Sequence, residues 1–216
     1  MNSHIFKTFG PVAHRTPWGV FQIYVFRDKT ETEHLAIVSG TPEDNAIARL
    51  HSECLTGDVL GSLRCDCGQQ FQKALQMIDA EQNGIVVYLR GHEGRGIGLA
   101  NKIRAYEIQD RMGLDTVEAN LHLGLPVDSR SYESGIAILR FFKLTSVRLL
   151  TDNPLKIDAF DGSGIRVTER IEIKLPDNPI SASYLETKRA KMGHIAPDRP
   201  NETSPKPTGS DALPPR

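Results

Sequence analysis

The sequence predicts an α/β fold, a layered mixed β-sheet flanked by helices. Three observations predict it. Short apolar runs, some alternating residue by residue, crowd the first fifty positions. Apolar side chains then recur at three- and four-residue spacing in three later segments. Those segments alternate with further short apolar runs, the order expected when helices cover a sheet.

In the first fifty residues, Phe21, Ile23 and Val25 alternate within VFQIYVF, and LAIVSG and AIARLHSE supply two more strand-like runs. After Gly68, the spacing of Phe71, Leu75 and Ile78 predicts a helix that ends at Asn83-Gly84. IVVYL at 85–89 is the next strand and feeds the glycine-rich loop RGHEGRGIG at 90–98. A second helix follows, with Leu99, Ile103 and Tyr106 on one inward face, before Gly113. Ile136, Leu139 and Phe142 mark a third helix. VRLL at 147–150 and IRVTERIEI at 165–173 complete the strands. From Pro197 to Arg216 the chain has almost no large apolar side chains, so disorder is expected there.

A chain of 216 residues, 39% hydrophobic, suits one folded domain. Its formal net charge of −1 gives no reason to expect a nucleic-acid surface, and no apolar run reaches the roughly 18 residues of a membrane helix. Nothing at the N-terminus looks like a secretory signal, which makes the cytoplasm, where thiols stay reduced, the expected location.

The cysteines are Cys54, Cys65 and Cys67, gathered in HSECLTGDVLGSLRCDCG. Such clustering argues for a metal. Three thiolates suit a zinc site that keeps one tetrahedral position open for water; a closed structural site would need a fourth ligand, for which His51 and Asp66 are at hand. A disulfide is the blander alternative, but Cys65 and Cys67 are too close in sequence to bridge comfortably and a third thiol would be left odd.

Gly94, Gly96 and Gly98 space as G-x-G-x-G, which is neither a dinucleotide fingerprint nor a P-loop. A loop between strand and helix that carries Arg90, Glu93 and Arg95 can still present N–H groups and a guanidinium to a phosphate. Glu93 and Glu53 each offer a carboxylate that could accept two hydrogen bonds from a base edge such as that of guanine, or serve only as solvated surface groups. VDSR at 127–130 and TDNPLK at 151–156 follow core-like segments, where polar groups line ligand crevices in α/β sheets; this raises Asp128, Arg130, Thr151 and Lys156 as candidates.

The segments RLHSECLTGDVLGSLRCDCG, RGHEGRGIGLANKIRAY, DTVEANLHLG, VDSR and LLTDNP, in this order, resemble GTP cyclohydrolase II of riboflavin biosynthesis. The resemblance runs from about residue 11 to 194. It is to the free-standing form, without a fused synthase domain, and makes residues 1–196 a catalytic domain and 197–216 a tail.

What the resemblance implies is a homodimeric zinc enzyme that opens the imidazole ring of GTP. Its products would be formate, pyrophosphate and 2,5-diamino-6-ribosylamino-4(3H)-pyrimidinone 5′-phosphate. Cys54, Cys65 and Cys67 would ligate zinc, which activates water near neutral pH. Tyr106 would orient water or pass a proton beside the base. Arg49, Leu50, His51, Ser52, Glu53, Gln70, Glu93, Gly94, Arg95, Thr116, Thr151 and Lys156 would hold GTP, with Mg²⁺ on the triphosphate. Asp128 and Arg130 correspond to the family's proton acceptor and its nucleophile at the α-phosphate. A guanidinium is a poor nucleophile, so an arginine that clamps developing phosphate charge is the alternative role for the same pair.

Two departures stand out. Asp152 replaces an asparagine near the expected phosphates, and His92 replaces a glutamine common in the loop. An enzyme that stops at the formamidopyrimidine, and a zinc-stabilised nucleotide-binding protein without turnover, are the competing readings.

Overall fold

The computed structural model describes residues 5–176 and 182–195. The tail expected over 197–216 lies outside the described residues. One seven-stranded sheet organises the chain. Its strands are β1 (Ile5–Thr16), β2 (Gly19–Asp28), β3 (Glu33–Gly40), β4 (Ala46–Ser52), β5 (Asn83–Leu89), β6 (Ser146–Leu150) and β7 (Arg166–Ile171), in the spatial order β1-β2-β3-β5-β4-β6-β7. The first three strands and β5 pair antiparallel, whereas β4 lies parallel to both β5 and β6, and β6 parallel to β7. The sheet is therefore mixed.

Residue parity sorts the side chains between two faces. On one face, Ala48 and Leu50 of β4, Ile85, Val87 and Leu89 of β5, and Val147 and Leu149 of β6 pack with Ile136, Ile138 and Leu139 of helix α6 (Glu133–Phe141). On the other, Phe21, Ile37, Ile47 and Val86 meet Ala74, Leu75 and Ile78 of α2 (Cys67–Glu81). Cover on both faces explains why IVVYL reads as a continuous apolar run. Arg49 and His51 share the parity of Ile47. This puts two buried polar side chains on the α2 face, toward the C-terminal end of a central strand.

Four further helices are short or late: α1 (Leu55–Asp58), α5 (Thr116–His122), α7 (Pro154–Asp158) and α8 (Ala182–Met192). A single turn, α3 (Glu93–Gly96), sits inside the glycine-rich loop, where Gly94 and Arg95 take left-handed φ of 59° and 66°. Helix α4 (Leu99–Met112) ends, as its sequence predicts, at Gly113 in the left-handed conformation.

The inward face predicted for α4 is corrected. Lys102 and Ala105 are its buried residues, while Leu99 is 38% exposed and Ile103 50%. The ammonium of Lys102 finds three partners beneath the helix, and that pairing outweighs burial of two aliphatic side chains. The end predicted for α2 is also displaced. Gln82, in the left-handed conformation, caps the helix, and Asn83 already belongs to β5.

Candidate active site

Cys54 caps α1 and Cys67 opens α2, so the starts of two helices and the loop between them bring the three thiols together. All three Sγ atoms lie within 4.8 Å of one another, and those of Cys54 and Cys65 are 3.8 Å apart, too far for a disulfide. Gly57 makes the cluster possible. A Cβ there would stand 2.9 Å from Cys65 Sγ and 3.1 Å from Cys54 Sγ. Among the described residues this is the one group of three or more cysteine, histidine or carboxylate side chains that could hold a metal ion.

The thiols share their charge unequally. Hydrogen bonds from Cys65 and Cys67, and then the ammonium of Lys102, hold the Cys54 thiol far below its ordinary range. Its bond to Cys54 pushes Cys65 up to about 11. Both candidates for a fourth ligand are engaged elsewhere. Asp66 pairs with Lys188 at 3.0 Å and accepts from Gln70, and His51 Nε2 lies 3.1 Å from Asp58 Oδ2. His51 is buried, and burial, partly opposed by Asp58, brings its pKa down to about 4. Its Nδ1 accepts from Arg49 Nε at 3.4 Å, so the network assigns the neutral Nε2–H tautomer.

Two cavities open beside the thiols. The first opens to solvent, spans about 580 Å³ with its open mouth, and takes in the three cysteines, Glu53, Gly94, Lys102, Tyr106, Thr116 and Asn120. Tyr106 projects from α4 with the Arg64 guanidinium 4.5 Å from its ring centroid. Thr116 begins α5, which a reciprocal capping box between Asp115 and Glu118 starts firmly. The second cavity, about 600 Å³, is cationic: Arg49, Arg95, Arg130, Lys156 and Lys188 line it, with Gln70, Thr151 and Asp152. Ser52, Cys67, Arg95 and Arg130 line both. The two form one cleft.

At the junction, Asp128 grips Arg130 through Nε at 2.9 Å and Nη2 at 2.5 Å, and Nη1 of Arg130 donates to Ser52 Oγ at 3.2 Å. Burial works to raise the Asp128 pKa, but the hydrogen bonds and charge of Arg130 outweigh it and hold the carboxyl below its usual range. The glycine-rich loop is tied to this segment by Ser129 N, which donates to Arg95 O. Lys156 is buried and donates to Leu50 O at 2.6 Å. Burial, then the charges of Arg49, Arg130 and Lys188, depress its pKa strongly.

Most residues predicted from sequence meet in this cleft, but three do not line it: Leu50, Glu93 and Asp128, the last of which reaches the cleft only through Arg130. Leu50 is a core side chain whose carbonyl anchors Lys156. Glu93 is buried, its carboxylate bound to Lys102 Nζ, Leu55 N and Gly94 N. The departures also find their places. Asp152 pairs with Arg170 at 2.8 Å, and His92 Nδ1 lies 3.1 Å from Ser52 Oγ.

Sequence reasoning missed Lys102, Asn120, Lys188 and His194. Lys102 had a signal, since it sits four residues before Tyr106 on the same helix face. Lys188 and His194 come from a late segment with no motif.

An α/β sheet thus places a thiol cluster that could hold a metal ion and a cavity lined by cationic side chains in one cleft. The family model described as GTP cyclohydrolase II matches residues 11–172, and the chain belongs to that family. The GTP cyclohydrolase-2 of Picrophilus torridus is 48% identical over 82% of this chain and 93% of its own length. Riboflavin biosynthesis protein RibBA of Aquifex aeolicus is 51% identical over 83% of this chain, and monofunctional riboflavin biosynthesis protein RIBA 3, chloroplastic, of Arabidopsis thaliana is 50% identical over 83%. The match spans only 45% and 36% of those two longer relatives. A solved two-domain 3,4-dihydroxy-2-butanone 4-phosphate synthase from A. baumannii covers 81% of this chain and 42% of its own at 17% identity, with a TM-score of 0.45, too low to carry a likeness of fold. Among the described residues, no helix is long and apolar enough to cross a membrane.

Proposed function

We propose that this protein hydrolyses GTP to formate, pyrophosphate and 2,5-diamino-6-ribosylamino-4(3H)-pyrimidinone 5′-phosphate, the first step of riboflavin biosynthesis. The observation that carries the reading is the continuity of the cleft. A thiol cluster at one end and five cationic side chains at the other, joined by Arg95 and Arg130, suit a single ligand with a base to be opened and a triphosphate to be held.

Zinc is the ion the thiols fit. Tetrahedral zinc at about 2.3 Å from each sulfur sets sulfur atoms about 3.8 Å apart, the Cys54–Cys65 separation. When bound, it would supply the Lewis acidity that makes water nucleophilic near neutral pH. The protein's own groups do the rest. Tyr106, beside the thiols, orients water or passes a proton to the opening ring. Thr116 and the loop at Gly94 border the base, while Arg49, Gln70, Thr151 and Lys156 receive the phosphates. Mg²⁺ would accompany the triphosphate. Arg130, gripped in bidentate fashion by an ionised Asp128, stays charged and suits the role of clamp on the α-phosphate better than that of nucleophile. Glu93 contributes by fixing the loop from below.

We further infer a cytoplasmic homodimer. Exposed Val59, Leu60 and Leu63 supply apolar surface for a second copy, which sedimentation equilibrium would weigh.

Mass spectrometry of products after zinc-loaded protein meets GTP and Mg²⁺ tests the function. Formate, pyrophosphate and the diaminopyrimidine monophosphate are expected. A formamidopyrimidine without formate would identify an enzyme that stops after ring opening, and unchanged GTP with folded, zinc-bound protein would leave binding alone.

A further inference from the structure

Lys102 is buried in the wall of the thiol cavity, and each of its three N–H groups has an acceptor: Glu93 Oε1 at 2.5 Å, Thr56 Oγ1 at 2.8 Å and Cys54 Sγ at 3.2 Å. The first acceptor is itself immobilised. Glu93 takes Leu55 N at 2.6 Å and Gly94 N at 3.2 Å, which ties it to the residue after Cys54 and to the glycine-rich loop. Two fixed oxygens thus aim the ammonium at one sulfur. Helix α4 leaves Leu99 and Ile103 facing solvent while it buries this lysine, an arrangement that packing alone would reverse.

We propose that Lys102 is a positioning residue of the metal–thiolate centre, holding Cys54 Sγ in place and drawing electron density from it. The inference rests on the reading of the cysteines as zinc ligands. Three thiolates over-neutralise a divalent ion, and their donation weakens its Lewis acidity. An N–H···S bond from a fixed cation opposes both effects at the sulfur it touches. Lys102 also donates to the Thr56 hydroxyl and stands 5.8 Å from the Tyr106 ring, so one charge organises a ligand and the neighbouring phenol together.

Cobalt-substituted protein tests this without relying on turnover, because the sulfur-to-cobalt charge-transfer band reports electron density on the thiolates. Lys102→Met should still bind cobalt through the three cysteines, with that band at lower energy. Its kcat for formate release in the zinc form should fall about 10–100-fold, with the KM for GTP within about threefold. Lys102→Arg, which keeps the charge, should return the band toward its wild-type position. A folded Lys102→Met protein with an unmoved band and kcat within about twofold of wild type would overturn the inference. Should Lys102→Met fail to fold, Thr56→Val removes one of the two aiming oxygens and should move the band in the same direction by less; an unmoved band there overturns it equally. Wild-type protein that shows the band but releases no formate would overturn the proposed function instead, and the band comparison would still decide the role of Lys102.

Discussion

Replacing His51 by glutamine should flatten the acid sensitivity of folding. In the folded protein burial lowers the His51 pKa from 6.5 to about 4, so the unfolded chain takes up the proton first as pH falls. The stability tied to a neutral His51 is therefore fully present above about pH 6.5 and is lost as pH falls toward 4. The fall from 6.5 to about 4 corresponds to about 3 kcal/mol in all, of which about 2 kcal/mol is lost between pH 7 and 5. Urea unfolding of metal-free, reduced protein at pH 7, 6 and 5 measures it. His51→Gln also loses the bond to Asp58, which lowers its stability at every pH, but its decline from pH 7 to 5 should be about 2 kcal/mol smaller than that of wild type. Parallel declines in the two proteins would refute a buried, neutral His51.

Arg130→Lys cannot reproduce the fork onto Asp128 and Ser52, so kcat for pyrophosphate release should fall about 10²–10³-fold with zinc content unchanged; activity within tenfold of wild type would remove the clamp. Lys156→Met removes a buried amine that lines the cationic cavity, so the Kd of a non-hydrolysable GTP analogue should rise about tenfold or more by calorimetry; an unchanged Kd would take Lys156 out of the phosphate site. Asp152→Asn should change the KM for GTP by less than about threefold, since Arg170 already balances that charge; a tenfold fall in KM would mean that Asp152 repels the phosphates.

The strands were legible where both neighbours and faces repeat a simple pattern. VFQIYVF alternates, and IVVYL is apolar throughout because helices cover both faces. β1 was harder. Its outer half, Gly10–Arg15, is exposed edge strand with no core face to impose a period. Helix α5 carried its start signal in the Asp115–Glu118 spacing, but it is too short for a clear apolar stripe. The cysteines announced the site by their clustering and Arg130 and Lys156 by following core-like segments, whereas Arg49 was reached only through the family resemblance. Lys102 gave only its spacing to Tyr106, because a lysine near apolar residues on a helix ordinarily faces solvent, and the acceptors of Glu93, Thr56 and Cys54 below reverse that. The same pairing explains why Glu93 looked like a reader of the base: a carboxylate in a glycine-rich loop gives no sign in sequence of the donors that will occupy it.

Formate release from GTP labelled at C8, followed by ¹³C NMR before and after the metal is stripped and zinc restored, tests most directly whether the thiol cluster and the cationic cavity act on one nucleotide. Labelled formate should appear with the zinc-loaded protein, vanish on stripping and return with zinc. Formate produced at the same rate by stripped protein would contradict the account.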